Sequence, residues 1–222
     1  LGKLARSLLA DISFGSALLV NRLSLHRRFL MSRTKPRPAD WIALIEAGYN
    51  LEGSERQWFD NLCDCADALL DPAGLRFGAM ARYTPATCQL GMTRFPKVME
   101  FLGPLFHASL DEQTIDLLYR QGHIVGTASD LVLPRHPNSM KLFEMMARLV
   151  LGSTPDMFAV NCQAGSGECV IFSALLKERR SPTALERKRW PQIAAHIGAG
   201  LRLRSKLRSL SQDALPVEAI LD

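Results

Sequence analysis

The chain is poor in the residues that would make it a disulfide scaffold. It has five cysteines in 222 residues, Cys63, Cys65, Cys88, Cys162 and Cys169, an odd number without framework spacing. No convincing secretory signal accompanies them, which favours a reducing compartment and predicts a cytoplasmic protein. Long hydrophobic runs are also missing. The apolar stretch 8–20 is shorter than the roughly 20 residues of a membrane span, and Asp11 interrupts it. Lys3 and Arg6 ahead of it imitate a signal peptide, but no clean small-residue cleavage site follows. No membrane partner is expected.

The usual chemical signatures are scarce as well. His26, His107, His123, His136 and His196 are dispersed, with no HExxH or comparable spacing for zinc. Cys63-x-Cys65 falls on a predicted helix, where positions i and i+2 point about 200° apart and cannot share an ion. Cys65 is therefore expected in the core and Cys63 nearer the surface. QAGSGE contains G-x-G, but strands are predicted on both sides of it, so the dinucleotide fingerprint fails. Neither a phosphate-binding loop nor a G-x-S-x-G elbow occurs. Cys88, Cys162 and His123 are the only nucleophile or base candidates weighed, and no nucleophile–base pair is visible among them. No cofactor and no enzyme activity is expected. Internal repeats and low-complexity runs are absent.

What is present is an ordinary globular composition, 47% hydrophobic and 22% charged. The net charge of +5 suggests nucleic acid until its distribution is examined. Residues 1–38 hold eight of the 27 Lys and Arg and one of the 22 acids, leaving 19 bases against 21 acids for the rest. The body of the chain is not a basic DNA-binding surface. Two accounts fit the basic segment 1–37: read-through upstream of a true start at Met31, or an amphipathic helix over 4–30 broken at Gly15. Pro36 and Pro38 end any helix there.

Beyond Pro38 the patterning becomes regular. PADWIALIEAGYN places Trp41, Leu44, Ile45 and Tyr49 at helical spacing, with Pro38 or Asp40 near the helix start. Ser54 with Gln57 three residues on is a capping box, opening a helix with stripe Trp58, Leu62, Cys65, Leu69. LRFGAMARY alternates as a half-buried strand, with Phe77, Ala79, Ala81 and Tyr83 inward and Arg76, Met80 and Arg82 outward. CQLGMTRF is a second strand. Helices are predicted over FPKVMEFLGPLFHASL, DEQTIDLLYRQG and 139–151. Between the last two, HIVGTASDLV reads as a loop with a short helix.

The chain is organised around its last third. MFAVNCQ and ECVIFSALL, joined by AGSG, form a hairpin. With AGSG as the loop, Gln163 faces Glu168 and Cys162 faces Cys169. Such cross-strand Cβ atoms lie about 4.5–5.5 Å apart, slightly long for a relaxed disulfide, which leaves a redox pair or two small buried residues. An exit helix follows over 181–210, started by Ser181-Pro182 or by a second capping box, Thr183 to Glu186. Pro191 requires a kink or a later start near Trp190. Ile193, Ile197, Leu201 and later Leu203, Leu207 and Leu210 are the candidate seam of a homodimer. Ten bases against two acids over 177–208 also permit a solvated face or phosphate contact.

Helices flanking a few antiparallel strands, without βαβ alternation, define an α+β domain of GAF or PAS type over 38–180. Candidate pocket residues are Phe77, Ala79, Ala81 and Tyr83 on the first strand, and His123, Thr127 and Ser129 in the small-residue loop. Phe158 and Cys162 on the hairpin complete the set. A small-molecule effector is the ligand this implies.

Residues 41–222 resemble the N-terminal region of bacterial LuxR-type helix-turn-helix transcriptional regulators. WIALIEAGYNLEGSERQWFDNLCDCADALLD, LLYRQGHIVGTASD and SPTALERKRWPQIAAHIGAGLRLRSKL carry the likeness, and PVEAILD is similar to the passage that leads into a second region. The resemblance implies a sensory or regulatory module whose DNA contact is made by a helix-turn-helix elsewhere, with 211–222 opening the following region. No DNA-contacting residue transfers to this sequence. The alternative is a stand-alone small-molecule-binding GAF-like domain with no DNA role.

Overall fold

The computed structural model describes residues 40–70, 75–83, 88–94, 125–131, 156–165, 167–176 and 178–214. The basic segment 1–37, the three helices expected between Phe95 and Leu151, and His123 lie outside the described residues.

The local signals for helix starts act as expected. The Asp40 carboxylate accepts from the Ile42 and Ala43 amides at 2.9 and 3.2 Å and starts helix α1, Trp41–Tyr49. Ser54 and Gln57 form a reciprocal capping box on α2, Glu55–Asp67, which ties down amides that a helix end otherwise leaves bare. Strands β1 (Leu75–Tyr83) and β2 (Cys88–Thr93) follow, then β3 (Val125–Thr127) and a one-turn helix α3 (Ala128–Leu131). The hairpin is β4 (Met157–Gln163) and β5 (Glu168–Leu175), and the exit helix is α4, Ala184–Ala214.

The result is an α+β fold with one five-stranded antiparallel sheet, ordered β2-β1-β5-β4-β3. Helices α1, α2 and α4 pack on one face of it, around a core that includes Leu44, Phe59, Leu62, Phe158, Val160, Phe172, Trp190 and Ile197. Fully burying side chains of this size stabilises by about 1.5–3 kcal/mol each. Trp41 and Trp190 meet edge to face at 5.0 Å. Gly48 and Gly200 let α1 and α4 cross with their backbones touching: a Cβ on Gly200 would lie 2.1 Å from the Gly48 carbonyl oxygen. That same carbonyl accepts the Trp58 indole N–H at 3.2 Å, joining α2 to the crossing.

Four expectations need correction. The middle of β1, Gly78 to Ala81, is buried on both faces, not half-buried, because Met80 turns towards the helices and is 9% exposed. Cys63 is no less buried than Cys65; its sulfur sits against Gly78, where a Cβ would come within 2.4 Å of it. The hairpin register is offset: Gln163 pairs with Cys169 and Cys162 with Val170, while the Ala164 amide donates to the Glu168 carbonyl. Gly165 and Gly167, at φ of 79° and 82°, supply the left-handed residues that the longer loop requires. Cys162 and Cys169 therefore point to opposite faces as reduced thiols and form no disulfide.

The fourth concerns α4. Thr183, not Ser181-Pro182, caps it, through a reciprocal box with Glu186. The helix runs unbroken through Pro191, whose ring removes only the bond to the carbonyl of Arg187, an exposed residue. Ile193, Ile197 and Leu201, expected to meet a second copy, are 4%, 0% and 0% exposed within this chain's own core. The first half of the expected seam is the surface by which the helix packs on its own sheet.

Candidate ligand-binding face

A strand buries alternate residues on opposite sides, so the pairing decides which candidates can share a site. On the face away from α1, α2 and α4, three cross-strand rows run over the sheet. Phe77 lies beside Ser173, Ser173 beside Ala159, and Ala159 beside Gly126. The middle row is Ala79, Ile171 and Asn161. The third is Leu90, Ala81, Cys169 and Gln163. Leu131 of α3 closes over Gly126, where a Cβ would meet its side chain at 2.7 Å.

The middle of this far face is buried, with Ala79, Ala81, Asn161, Gln163, Ile171 and Ser173, while Phe77, Tyr83, Leu90 and Ala159 are partly exposed. It differs in chemistry from the helix-covered face. Ala81, Cys169 and Ile171 form a small apolar cluster of their own, joined by Tyr83 and Leu90. Beside them lie the amides of Asn161 and Gln163 and the Ser173 hydroxyl. Ser173 is 1% exposed and its Oγ has no hydrogen-bond partner. A buried hydroxyl in that state costs about 1–3 kcal/mol; the Trp190 indole nitrogen in the helix-packed core is equally unpartnered.

Of the expected pocket residues, the structure brings Phe77, Ala79, Ala81 and Tyr83 together on this face. It places Phe158 and Cys162 on the other, inside the helix-packed core. Burial, with Cys169 close by, pushes the Cys162 thiol well above its usual range, so it stays protonated and is a poor nucleophile. Thr127 and Ser129 belong to a third arrangement. Thr127 pairs with Phe158 on the helix side, and its hydroxyl lies 3.3 Å from that of Ser129. Ser129 donates its amide (3.0 Å) and its hydroxyl to the carboxylate of Asp156, which also receives the Met157 amide at 2.8 Å. Asp156 is 0% exposed, and its carbonyl accepts from Leu176. The expected pocket loop is a lock that fixes β3 and α3 to β4.

Asn161, Gln163, Cys169 and Ser173 were not anticipated as site residues. For Asn161 and Gln163 the signal is present as polar residues two apart at the end of MFAVNCQ, and for Cys169 and Ser173 as alternate positions of ECVIFSAL, but it cannot be read without knowing which alternate set faces the helices. Among the described residues no group of three His, Cys, Asp or Glu is placed to hold a metal ion, and no helix is long and apolar enough to cross a membrane.

The far face connects to the exit helix through the hairpin end. Arg202 donates to the Ala164 carbonyl at 3.1 Å, and Ser205 to Glu168 at 2.5 Å. Glu168 also receives Arg82 at 2.7 Å. Burial works to raise its pKa, but the bonds from Ser205 and Arg82 outweigh that and hold it below the ordinary carboxylate value. Arg204 reaches the carbonyls of Asn50 and Gly53, and Arg208 pairs with Glu55 at 2.7 Å. Past Leu201 the apolar docking of α4 thus gives way to a polar clasp on the hairpin and on the α1–α2 connection. Arg202, Arg204 and Arg208 are committed to these bonds, and Lys206 is exposed.

No known protein-family model matches the chain, and no curated protein matches it either.

Proposed function

We propose that this chain is the sensory or regulatory domain of a LuxR-type transcriptional regulator, GAF/PAS-like in architecture and non-catalytic itself. The observation that carries this reading is the double role of the β4–β5 hairpin. Its strands supply Asn161, Gln163 and Ser173 to the buried far face, and its loop end is gripped by α4 through Ala164 and Glu168. A change in how the far face is filled therefore has a short mechanical route, one strand pair long, to the helix that leaves the domain. Rigid elements with discrete contacts are what such coupling needs. The sequence likeness to LuxR-type regulators supports the same reading, as does the helix-flanked antiparallel sheet.

On this reading the effector is a small molecule, and DNA is contacted only through a helix-turn-helix outside this chain. The domain works in the cytoplasm as a homodimer and needs no cofactor. The coding sequence after Asp222 tests it. A helix-turn-helix there is the expected result. A continuation without one overturns the regulator assignment, and an immediate stop transfers the support to a stand-alone small-molecule-binding domain.

A further inference from the structure

We propose that residues 202–211 of α4 form a latch, held at two separate points, that opens as a unit while the rest of the domain stays folded. The latch goes beyond the sensory reading and does not depend on it, since it concerns only how this chain holds its own exit helix.

Three observations carry it. First, α4 changes its means of attachment at Leu201. Up to that residue Trp190, Ile193, Ala194, Ile197 and Leu201 are buried in the core. Beyond it the apolar side chains are Leu203, Leu207 and Leu210, and all three are exposed. Burial of apolar surface, which fixes the docked half, therefore contributes far less to these last turns.

Second, the polar bonds fall into two groups on parts of the chain far apart in sequence. Arg202 and Ser205 hold the hairpin end, at the Ala164 carbonyl (3.1 Å) and the Glu168 carboxylate (2.5 Å). Arg204 and Arg208 hold the α1–α2 connection and the start of α2. They donate to the carbonyls of Asn50 and Gly53 at 3.0 and 3.1 Å and to the Glu55 carboxylate at 2.7 Å. Third, Arg208 also donates to the Ser205 hydroxyl at 3.4 Å, which ties the two groups together on the helix itself. The side chains of Arg208 and Glu55 are 39% and 35% exposed, and ion pairs open to water are weak and screened by salt. Moving either the hairpin end or the α1–α2 connection breaks one group and leaves the turns on the other alone. The exit helix thereby registers the relative position of the two parts it spans.

Hydrogen exchange on the full chain, read by mass spectrometry in peptides from 190–201 and 202–211, tests the latch. A helix end of this length frays once undocked, so opening registers as lost amide protection. The expected result is protection over 202–211 at least about tenfold below that over 190–201. It should fall a further two- to fivefold, roughly, as sodium chloride rises from about 0.05 M to about 1 M. Glu55→Gln combined with Glu168→Gln takes the charge from both anchors. The double variant should lose about two- to tenfold of the protection over 202–211 at low salt, with 190–201 still the slower segment. Equal protection of the two segments would mean that the last turns open only with the whole domain, and overturns the latch. Low protection over 202–211 that is indifferent to salt or to the double substitution is ordinary fraying, and overturns it equally. The salt series on the parent decides the question even where the double variant fails to fold. None of these outcomes touches the regulator assignment, which stands or falls on the sequence after Asp222.

Discussion

Two carboxylates, Asp156 and Glu168, show how burial and partners set a residue's role. Asp156 is fully buried and serves three donors from two residues. Asp156→Ala leaves the Ser129 and Met157 amides without an acceptor, each costing about 1–3 kcal/mol. A loss of about 2–5 kcal/mol in urea unfolding is expected, and a change under 1 kcal/mol would remove Asp156 from its role as the lock. Glu168 is only partly shielded, and its pKa in the folded chain lies below the ordinary 4.5. A depressed carboxylate contributes stability that is complete above the unfolded value and is lost as pH falls through the folded one. Stability of the parent should therefore decline below pH 4.5 more steeply than that of Glu168→Gln, in denaturation curves taken across that range. Parallel declines would show that Glu168 does not contribute to the clasp.

At the scale of elements, the α1–α4 crossing brings two helix backbones into contact. Its closeness depends on glycine at both positions, and the Gly200 side has backbone rather than a flexible side chain in the way. Gly200→Ala would gain helix propensity of up to about 1 kcal/mol, yet it forces two helices apart. Overpacking of this kind costs typically about 1–3 kcal/mol and sometimes more. The expected outcome is a net destabilisation by chemical denaturation, with loss of the Trp58 indole bond to Gly48 visible in the indole N–H resonance. A variant as stable as the parent would mean that the crossing has slack. The helix starts were legible in the sequence here because Asp40, Ser54 and Thr183 act within one turn of themselves. The hairpin register was not, since it depends on two left-handed glycines whose loop length is a matter of backbone geometry, and one residue of slip sends every side chain to the other face.

For the whole molecule, the exit helix has a buried and an exposed half. Ile193, Ile197 and Leu201 are used internally, whereas Leu203, Leu207 and Leu210 are 40%, 43% and 56% exposed at i, i+4 and i+7. If the proposed homodimer forms through α4, this later stripe, the second half of the expected seam, is the surface for it. Sedimentation of the full chain should give a dimer, and Leu207→Glu combined with Leu210→Glu should return it to a monomer without changing its unfolding midpoint by more than a small amount. A monomeric parent removes the dimer from the proposal.

The sequence by itself determined the α+β class, two capped helices, the strands of the hairpin, an exit helix and the absence of familiar catalytic spacing. All of these follow from periodicity and from contacts within a few residues. Only the tertiary structure decided which face each strand residue serves. It moved Phe158 and Cys162 out of the expected pocket and turned the Thr127–Ser129 loop into a lock on Asp156. It also moved Ile193, Ile197 and Leu201 from an expected interface into the core, and it disclosed Ser173. Amphipathic stripes state that a surface will be covered; what covers it is set by neighbours far away in the chain, and no local pattern encodes them.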